Sequence, residues 1–453
     1  MQSYNKVVLE TSKINNGVLK LSEDQAAKLN LSNKTITLLH AGKNHVQIII
    51  SINDSSQNKN VFCLSSGTLK RLRLSSAQPF GVSRQKDGIH LGPVVGIMAN
   101  LYKERDRPFG PQSLFIKQLI QTAMQIGELC YGFSPHDIHW DNKTITGYTL
   151  GKNGWVKRLF PLPDVVYPRR SGCSAFNRQV RKKLQCTGCT FLNPPLIGKW
   201  QSYKILAAHP ILKNYLPDTN LVSDFNRVDQ MINKYRIVYM KPVAGSQGRN
   251  IIKIALKDRP NRYHYQYQMN NQMYNGTSAN MSGLRRSLRR VMGNQTYIVQ
   301  NQINLLRSEG NILDVRVLVQ KDDTGNFTVT GKACRIGKPG SITSNISAGG
   351  HGSKLNLVLA RNFSEPKQRQ SIIDEIDMVA CEAAKVLEAS ASGPIGELGI
   401  DIGIDRSGKI WFIEANLRPA RKLFSMIGES EVRMNSIIKP LLYCRYAAGF
   451  TEL

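Results

Sequence analysis

The chain has 453 residues with 61 Lys or Arg against 32 Asp or Glu, a formal charge of +29, and 41% hydrophobic residues. That length exceeds one ordinary hydrophobic core and predicts about two to four domains, and the composition fits a soluble globular protein. A membrane-spanning run of about 18 apolar residues is missing, and the start MQSYNKVVLE has no basic-then-apolar signal layout, so the expected location is the cytoplasm.

An excess of cations implies an anionic counterpart: nucleic acid, a polymer, phosphates or an acidic protein. The densest stretches, NRQVRKKLQ (177–185) and LRRSLRR (284–290), read either as solvated helix faces or as anion contacts. Cys186 and Cys189 form a single CxxC, with Cys173 as the nearest extra thiol. A zinc ribbon needs a second such pair, so a reduced turn is expected there.

In chain order, residues 1–89 are predicted to be β-rich, with strands such as KTITLLH (34–40) and VQIII (46–50). LSEDQAAKLNLS from Leu21 and LSSGTLKRLRLS from Leu64 share the pattern LSxxxxxxLxLS. Two like units, each too small to bury its own face, predict a pseudo-symmetric barrel or sandwich. Residues 90–195 change to strand then helix: HLGPVVGIMAN (90–100), a helix over SLFIKQLIQTAMQIGEL (113–129), and strands at 144–150 and in DVVYPRR (164–170). This is the grammar of a small α/β domain.

Residues 196–453 read as two α+β lobes, about 196–298 and 299–453. KWQSYKILAAHPIL is helix-like, RIVYMKPVAGSQGRNIIKIAL is strand, glycine loop, strand, and YHYQYQ (263–268) alternates as a half-exposed sheet edge would. Its aromatics could instead stack bases, which, with the charge, makes nucleic-acid binding the last-ranked alternative. LDVRVLVQ (313–320) and FTVTGKACRI (327–336) flank the turn KDDTGN, and SIIDEIDMVACEAAKVLEAS (371–390) carries one apolar helical stripe.

The chemistry concentrates in GELGIDIGIDRSGKIWFIEANLRP (396–419). On a strand, Asp401 lies on one face while Ile400, Ile402 and Ile404 cover the core. If Ser407 and Gly408 form a two-residue turn, Asp401 faces Glu414, with Asn416 further along the same face and Asp405 near the turn. Facing carboxylates repel, and a divalent cation would remove the conflict, because magnesium prefers such oxygens and is completed by phosphates. A solvated hairpin is the alternative. KPVAGSQGRN places Lys241 at a strand end before Gly245, Ser246, Gln247 and Gly248, whose backbone can approach phosphate oxygens. It matches neither GxxxxGK[ST] nor GxGxxG. Arg316 in LDVR, Arg335, and the loop carrying Ser344 and Asn345 could neutralise phosphoryl oxygens, or could serve as ion pairs and a surface loop.

The order of these parts (lysine, lysine with glycine loop, D-x-R, S-N-x-x-x-G-G, D-x12-E-x-N-x-x-P) resembles the ATP-grasp superfamily. The chain is similar to ligases that add glutamate to a ribosomal protein. It is more similar to the YheC/YheD group of endospore coat-associated proteins, through PLPDVVYPR, GKW, YLPDT, KPVAGSQGRNI and EANLRPARK. The resemblance implies an ATP-grasp fold of two α+β lobes preceded by the small α/β and β-rich domains. It implies ATP with Mg2+ or Mn2+ and a carboxylate-amine ligase acting through an acylphosphate, or alternatively a non-catalytic nucleotide-binding coat or assembly protein. Lys199 and Lys241 would reach the phosphates under the Gly245, Ser246, Gln247 and Gly248 lid. YIVQNQI (297–303), with Gln300, Asn301 and Ile303, would be the adenine hinge. Arg316, Arg335 and Asn345 would hold the transferring phosphoryl group, and Asp401, Glu414 and Asn416 the metal. Departures from the family pattern are Asn301 after Gln300, where an acid is common, and Gly198 before Lys199, with Lys204 a rival first lysine. Partners would be an acidic carboxylate substrate and an amine, with 177–189, Arg418, Arg421 and Lys422 lining the acceptor pocket, and anionic coat components, with an endospore coat location.

Overall fold

The computed structural model describes residues 5–53, 60–76, 78–169, 174–195, 198–245, 250–257, 263–269, 272–344 and 349–450. Four sheets follow one another along the chain.

The first is a closed seven-stranded barrel from Lys6–Thr11 to Gly88–Gly92, in which Lys6–Thr11 pairs parallel with Val61–Leu64, and Val18–Ser22 with Asn44–Asn53. The two LS repeats take the same local form. Ser22 caps Glu23–Lys28 by accepting from Gln25 N, and Ser65 caps Ser66–Leu72 by accepting from Thr68 N. Asn30 and Arg73 then turn through left-handed φ of 49° and 58°, which drops Leu31 and Leu74 into one barrel core.

Closure of the barrel divides what reads as a single apolar run at 90–100. Gly88–Gly92 completes the barrel, whereas Val94–Met98 begins the next sheet, between the parallel strands Leu129–Phe133 and Val165–Pro168. The helix Ser113–Ile126 covers that sheet and stops at Gly127, φ 85°. Leu129, expected inside the helix, opens the strand instead.

Beyond it stand two sheets facing a common cleft. One runs Thr219–Leu221, Tyr297–Asn301, Ile237–Pro242, Ile252–Leu256, Tyr263–Met269, Gln272–Ser278, and is backed by the helices Phe225–Tyr235 and Met281–Met292. Tyr263–Met269 is therefore an interior strand rather than an edge: Tyr263 and Tyr267 are buried, and Tyr267 stacks on Tyr274 at 5.2 Å. These rings are core, and the base-stacking alternative loses its motif. Arg285, Arg286, Arg289 and Arg290 lie on the exposed face of Met281–Met292, whose Leu284, Leu288 and Val291 face the core.

The other sheet runs His351–Ser353, Phe327–Ile336, Asn311–Lys321, Glu397–Ile404, Ile410–Asn416. Leu398, Ile400, Ile402 and Ile404 pack with the long helix Pro366–Ala389, leaving the alternate face of Glu397–Ile404 for polar residues. No helix among the described residues is long and apolar enough to cross a membrane.

Candidate functional site

The cleft between the last two sheets collects most of the residues singled out in the sequence. On Ile237–Pro242, Val238 and Met240 are buried in the core, which turns Tyr239 and Lys241 the other way by the two-residue repeat of a strand. Lys241 Nζ donates to Gln300 Oε1 at 2.6 Å, and Gln300 Nε2 donates in turn to Thr219 Oγ1 at 2.9 Å. The Gln300 side chain is thus a brace for the lysine. Burial pushes the Lys241 ammonium down to about 8, with Glu414 opposing that shift and Lys199 adding to it.

Lys199 is the first residue of the helix Lys199–Ala208, whose N-cap, Gly198, offers no side-chain oxygen. A cation at a helix N-terminus opposes the helix dipole. What holds it is Gly245 O at 2.6 Å and Glu414 Oε2 at 3.6 Å. Lys204 lies exposed on the same helix. Ser246, Gln247, Gly248 and Asn345 lie outside the described residues.

Part of the wall is apolar, formed by Ile251, Ile303, Leu305, Ile312 and Ile413. Asn301 also lines the cleft; its Nδ2 donates to Gln302 O at 3.2 Å, while its Oδ1 is buried without a hydrogen-bond partner among the described residues. A buried orphan acceptor is costly unless a ligand or water donates to it.

Asp401 does pair with Glu414, but by a different route from the two-residue turn. Asp405 N donates to Lys409 O at 3.0 Å, and Gly408 takes φ 93°, so the loop holds three residues and the register is one off. An irregularity between Asp401 and Ile402 restores it. Asp405 closes the turn, its carboxylate accepting from Ser407 N at 2.9 Å, Lys409 N at 3.1 Å and Trp411 Nε1 at 2.9 Å.

The expected clash of carboxylates is relieved by arginines. Arg316 Nε donates to Asp401 Oδ1 at 2.6 Å and its Nη2 to Oδ2 at 3.2 Å, while Arg335 Nη2 lies 2.8 Å from Oδ2. Arg335 also grips Asp314 with Nε to Oδ1 at 2.7 Å and Nη2 to Oδ2 at 2.6 Å, and Ser344 Oγ donates to the same Asp314 oxygen. Burial alone would raise the Asp401 carboxyl; the two guanidinium groups override it and hold the group below the usual carboxylate range. Arg335 rises above its ordinary value despite burial, because Asp401 and Asp314 stabilise its charge. Both Asp401 oxygens are thus engaged by guanidinium groups, and Arg316 pairs with Asp401 from off the cleft wall, whereas Arg335 and Asp401 line it. Glu414 remains half-exposed in the cleft, and Asn416 Nδ2 donates to its Oε1 at 3.1 Å.

The acceptor-pocket expectation also changes. Arg421 is buried, donating to Glu397 Oε2 and, through Nε at 3.1 Å, to Ser436 O. Arg169 Nη1 and Tyr167 OH reach Glu397 Oε1 from the second sheet, the former at 3.1 Å. Burial and then Glu397 push the Tyr167 phenol up to about 12. The YPR and RPAR motifs therefore meet in a structural junction. The helix Ala175–Cys186 packs through Val180 and Leu184; Cys186 is exposed, Cys189 buried and both free, with burial raising the Cys189 thiol to about 11. Tyr239 and Arg307, also on the cleft wall, had escaped the sequence reading; Tyr239 could have been found from its two-residue spacing to Lys241.

Comparison with known proteins gives the family. Residues 188–447 match the family model described as YheC/D-like ATP-grasp. The endospore coat-associated protein YheD of Bacillus subtilis (strain 168) is 32% identical over 346 residues, 74% of this chain and 75% of that protein. YheC of the same strain is 25% identical over 340 residues, 73% of this chain and 91% of that protein. Among solved structures, the ATP-grasp ligase PsnB complexed with a minimal precursor superposes with a TM-score of 0.45 and 15% identity, over 80% of this chain and 100% of that one. With more than half of its length under the family model and three quarters of YheD aligned, the chain belongs to the YheC/D-like ATP-grasp family.

Proposed function

We propose that the cleft binds ATP and that the protein is a carboxylate-amine ligase acting through an acylphosphate. The observation that carries this reading is the convergence of Lys199, Lys241 and Glu414 in one cleft, beside a group of apolar wall residues and the charged pair Arg335 and Asp401. Adenine would lie among Tyr239, Ile251, Leu305 and Ile413 against the backbone of Gln302 and Ile303, and a ligand donor would satisfy Asn301 Oδ1. The triphosphate would then point to the two lysines, under the loop that includes Gly245.

The donor set fits a hard cation in part. Glu414 and the carbonyl oxygen of Asn416 can hold it, and Asp401 joins only if a guanidinium group moves away. Magnesium held there would supply positive charge to the phosphate oxygens. In the proposed reaction a substrate carboxylate oxygen attacks the γ-phosphorus and ADP leaves. The amine nitrogen then attacks the acyl carbon, phosphate leaves, and the amine gives up a proton. Lys199 and Lys241 orient the phosphates, and Arg335 is the cation beside the transferring group. Substrate choice for an acidic carboxylate rests on the cations that line the cleft, Lys199, Lys241, Arg307 and Arg335.

The test is calorimetric titration with ATP, with and without Mg2+, followed by mass spectrometry of products formed from ATP and a spore extract. Binding that is lost in Lys241→Met and amide product that is lost in Glu414→Gln are expected; a wild-type protein that binds no ATP sinks the reading. A second reading, nucleotide binding without turnover in a coat or assembly protein, is favoured by the engagement of both Arg316 and Arg335 by internal carboxylates and by the names of the two matched relatives. ATP-induced thermal stabilisation without ADP release across an acid and amine panel would select it.

A further inference from the structure

The barrel, remote in sequence from the cleft motifs, carries its own constellation. His40 on Ile36–Ala41 stands directly opposite His90 on the parallel strand Gly88–Gly92. Their rings stack with centroids 4.2 Å apart and planes 3° from parallel, and both residues are buried. Asp87, in the exposed turn between Pro79–Gln85 and Gly88–Gly92, faces both rings: Oδ1 is 2.8 Å from His90 Nε2 and Oδ2 is 3.7 Å from His40 Nε2. Among the described residues these three form the one group of His, Cys, Asp or Glu whose donor atoms all lie within 4.8 Å of one another.

We infer that His40, His90 and Asp87 form a binding site for a divalent first-row transition metal such as zinc. Two imidazoles and one carboxylate are a donor set for such ions and unsuited to magnesium, which takes oxygen ligands. Neutral imidazole is the ligating form, and an ordinary histidine is largely neutral above pH about 6.5. The strands fix both histidines, and Gly88 leaves His40 its place, since a Cβ there would come within 3.1 Å of Nε2. Ligand atoms on a tetrahedral ion with bonds of about 2.0–2.1 Å sit about 3.3 Å apart. Loading therefore draws the three donors together and turns the parallel rings, since one ion on both Nε2 lone pairs must lie in both ring planes. An ion here would tie the Asp87 turn to two strands beside the chain's C-terminal segment. There Phe450 meets His90 edge-on at 6.4 Å, and Gln85 Nε2 donates to Ala448 O at 3.1 Å.

The experiment is titration of the full-length, chelator-stripped protein with Zn2+ against a chromophoric chelator, with Co2+ as a spectroscopic probe, in a Glu414→Gln background that weakens the cleft's own cation donors. One Zn2+ per chain is expected, with affinity falling by about tenfold or more in Asp87→Asn, whose exposed turn position spares the fold, and binding lost in His40→Gln/His90→Gln. His139→Ala, on the second sheet, should bind as the parent does. Failure of the parent to take up Zn2+, or equal uptake by the His40→Gln/His90→Gln variant with circular dichroism showing it folded, overturns the site.

Discussion

Four residues apart on the same face of Glu397–Ile404 stand two carboxylates, each held by two arginines, and they have different surroundings. Glu397 is closed in by Tyr167, Arg169, Arg421 and Gln320, the last donating at 3.0 Å, with Phe115 against both guanidinium groups at 4.9 and 4.5 Å. Asp401 is equally buried but borders the cleft, and its partner Arg335 is shared with Asp314. Gly399 lies between them, where a Cβ would come within 2.9 Å of Pro419 and 3.4 Å of Arg316. The same chemistry thus serves a sealed junction joining the second sheet to the last one, and a cluster that borders the cleft. A carboxylate between arginines does not by itself mark a functional site; what separates these two is access to a cavity.

The sharpest break in that comparison is Glu397→Ala, which strands two buried arginines. We predict a loss of about 3–5 kcal/mol in chemical denaturation, and a loss near zero would mean the junction is not structural. Asp401→Asn should cost less, about 1–3 kcal/mol, because Arg335 keeps Asp314, and it should also change ATP affinity where Glu397→Gln does not. Equal effects of these two on ATP binding would erase the distinction.

A pH titration sharpens the cleft half. Free Lys241 loses its proton near pH 8, so ATP affinity should be flat below that and fall by up to about tenfold per pH unit above it. Lys241→Arg, whose guanidinium stays charged across this range, should abolish the slope. Stability moves the other way: between pH about 8 and 10.5 the unfolded chain holds a proton that folded Lys241 has lost, so this group's contribution rises with pH across that window. The smallest effect belongs to Arg289→Ser on the solvated helix, expected to stay within about 0.5 kcal/mol and to leave ATP binding unchanged.

Much of the molecule is legible from local pattern. The LS repeat encodes a serine cap, a short helix and a left-handed exit, all decided within a dozen residues. Asp401 was exposed by strand alternation, since apolar neighbours leave only one face for a polar side chain, and Lys241 by its place at a strand end before the glycine loop. Less legible was anything that depends on which strand lies next. The run at 90–100 gives no sign that it serves two sheets, because both halves are wholly buried. Arg316 and Arg421 read as ligand-seeking cations because their carboxylate partners lie 85 and 24 residues away. The pairing of Asp401 with Glu414 was right for a turn that does not form, since a bulge compensates the longer loop.

The amino-acid sequence by itself determined the alternation, the caps, the glycine loop and the ordered set of charged motifs, because each is a matter of near neighbours and of side-chain period. Only the tertiary structure decided which charges neutralise one another. Strand pairing brings Arg316 and Arg335 onto Asp401, Arg169 and Arg421 onto Glu397, and His40 against His90. Electrostatic free energy depends on distance and burial, and neither is written in the spacing along the chain.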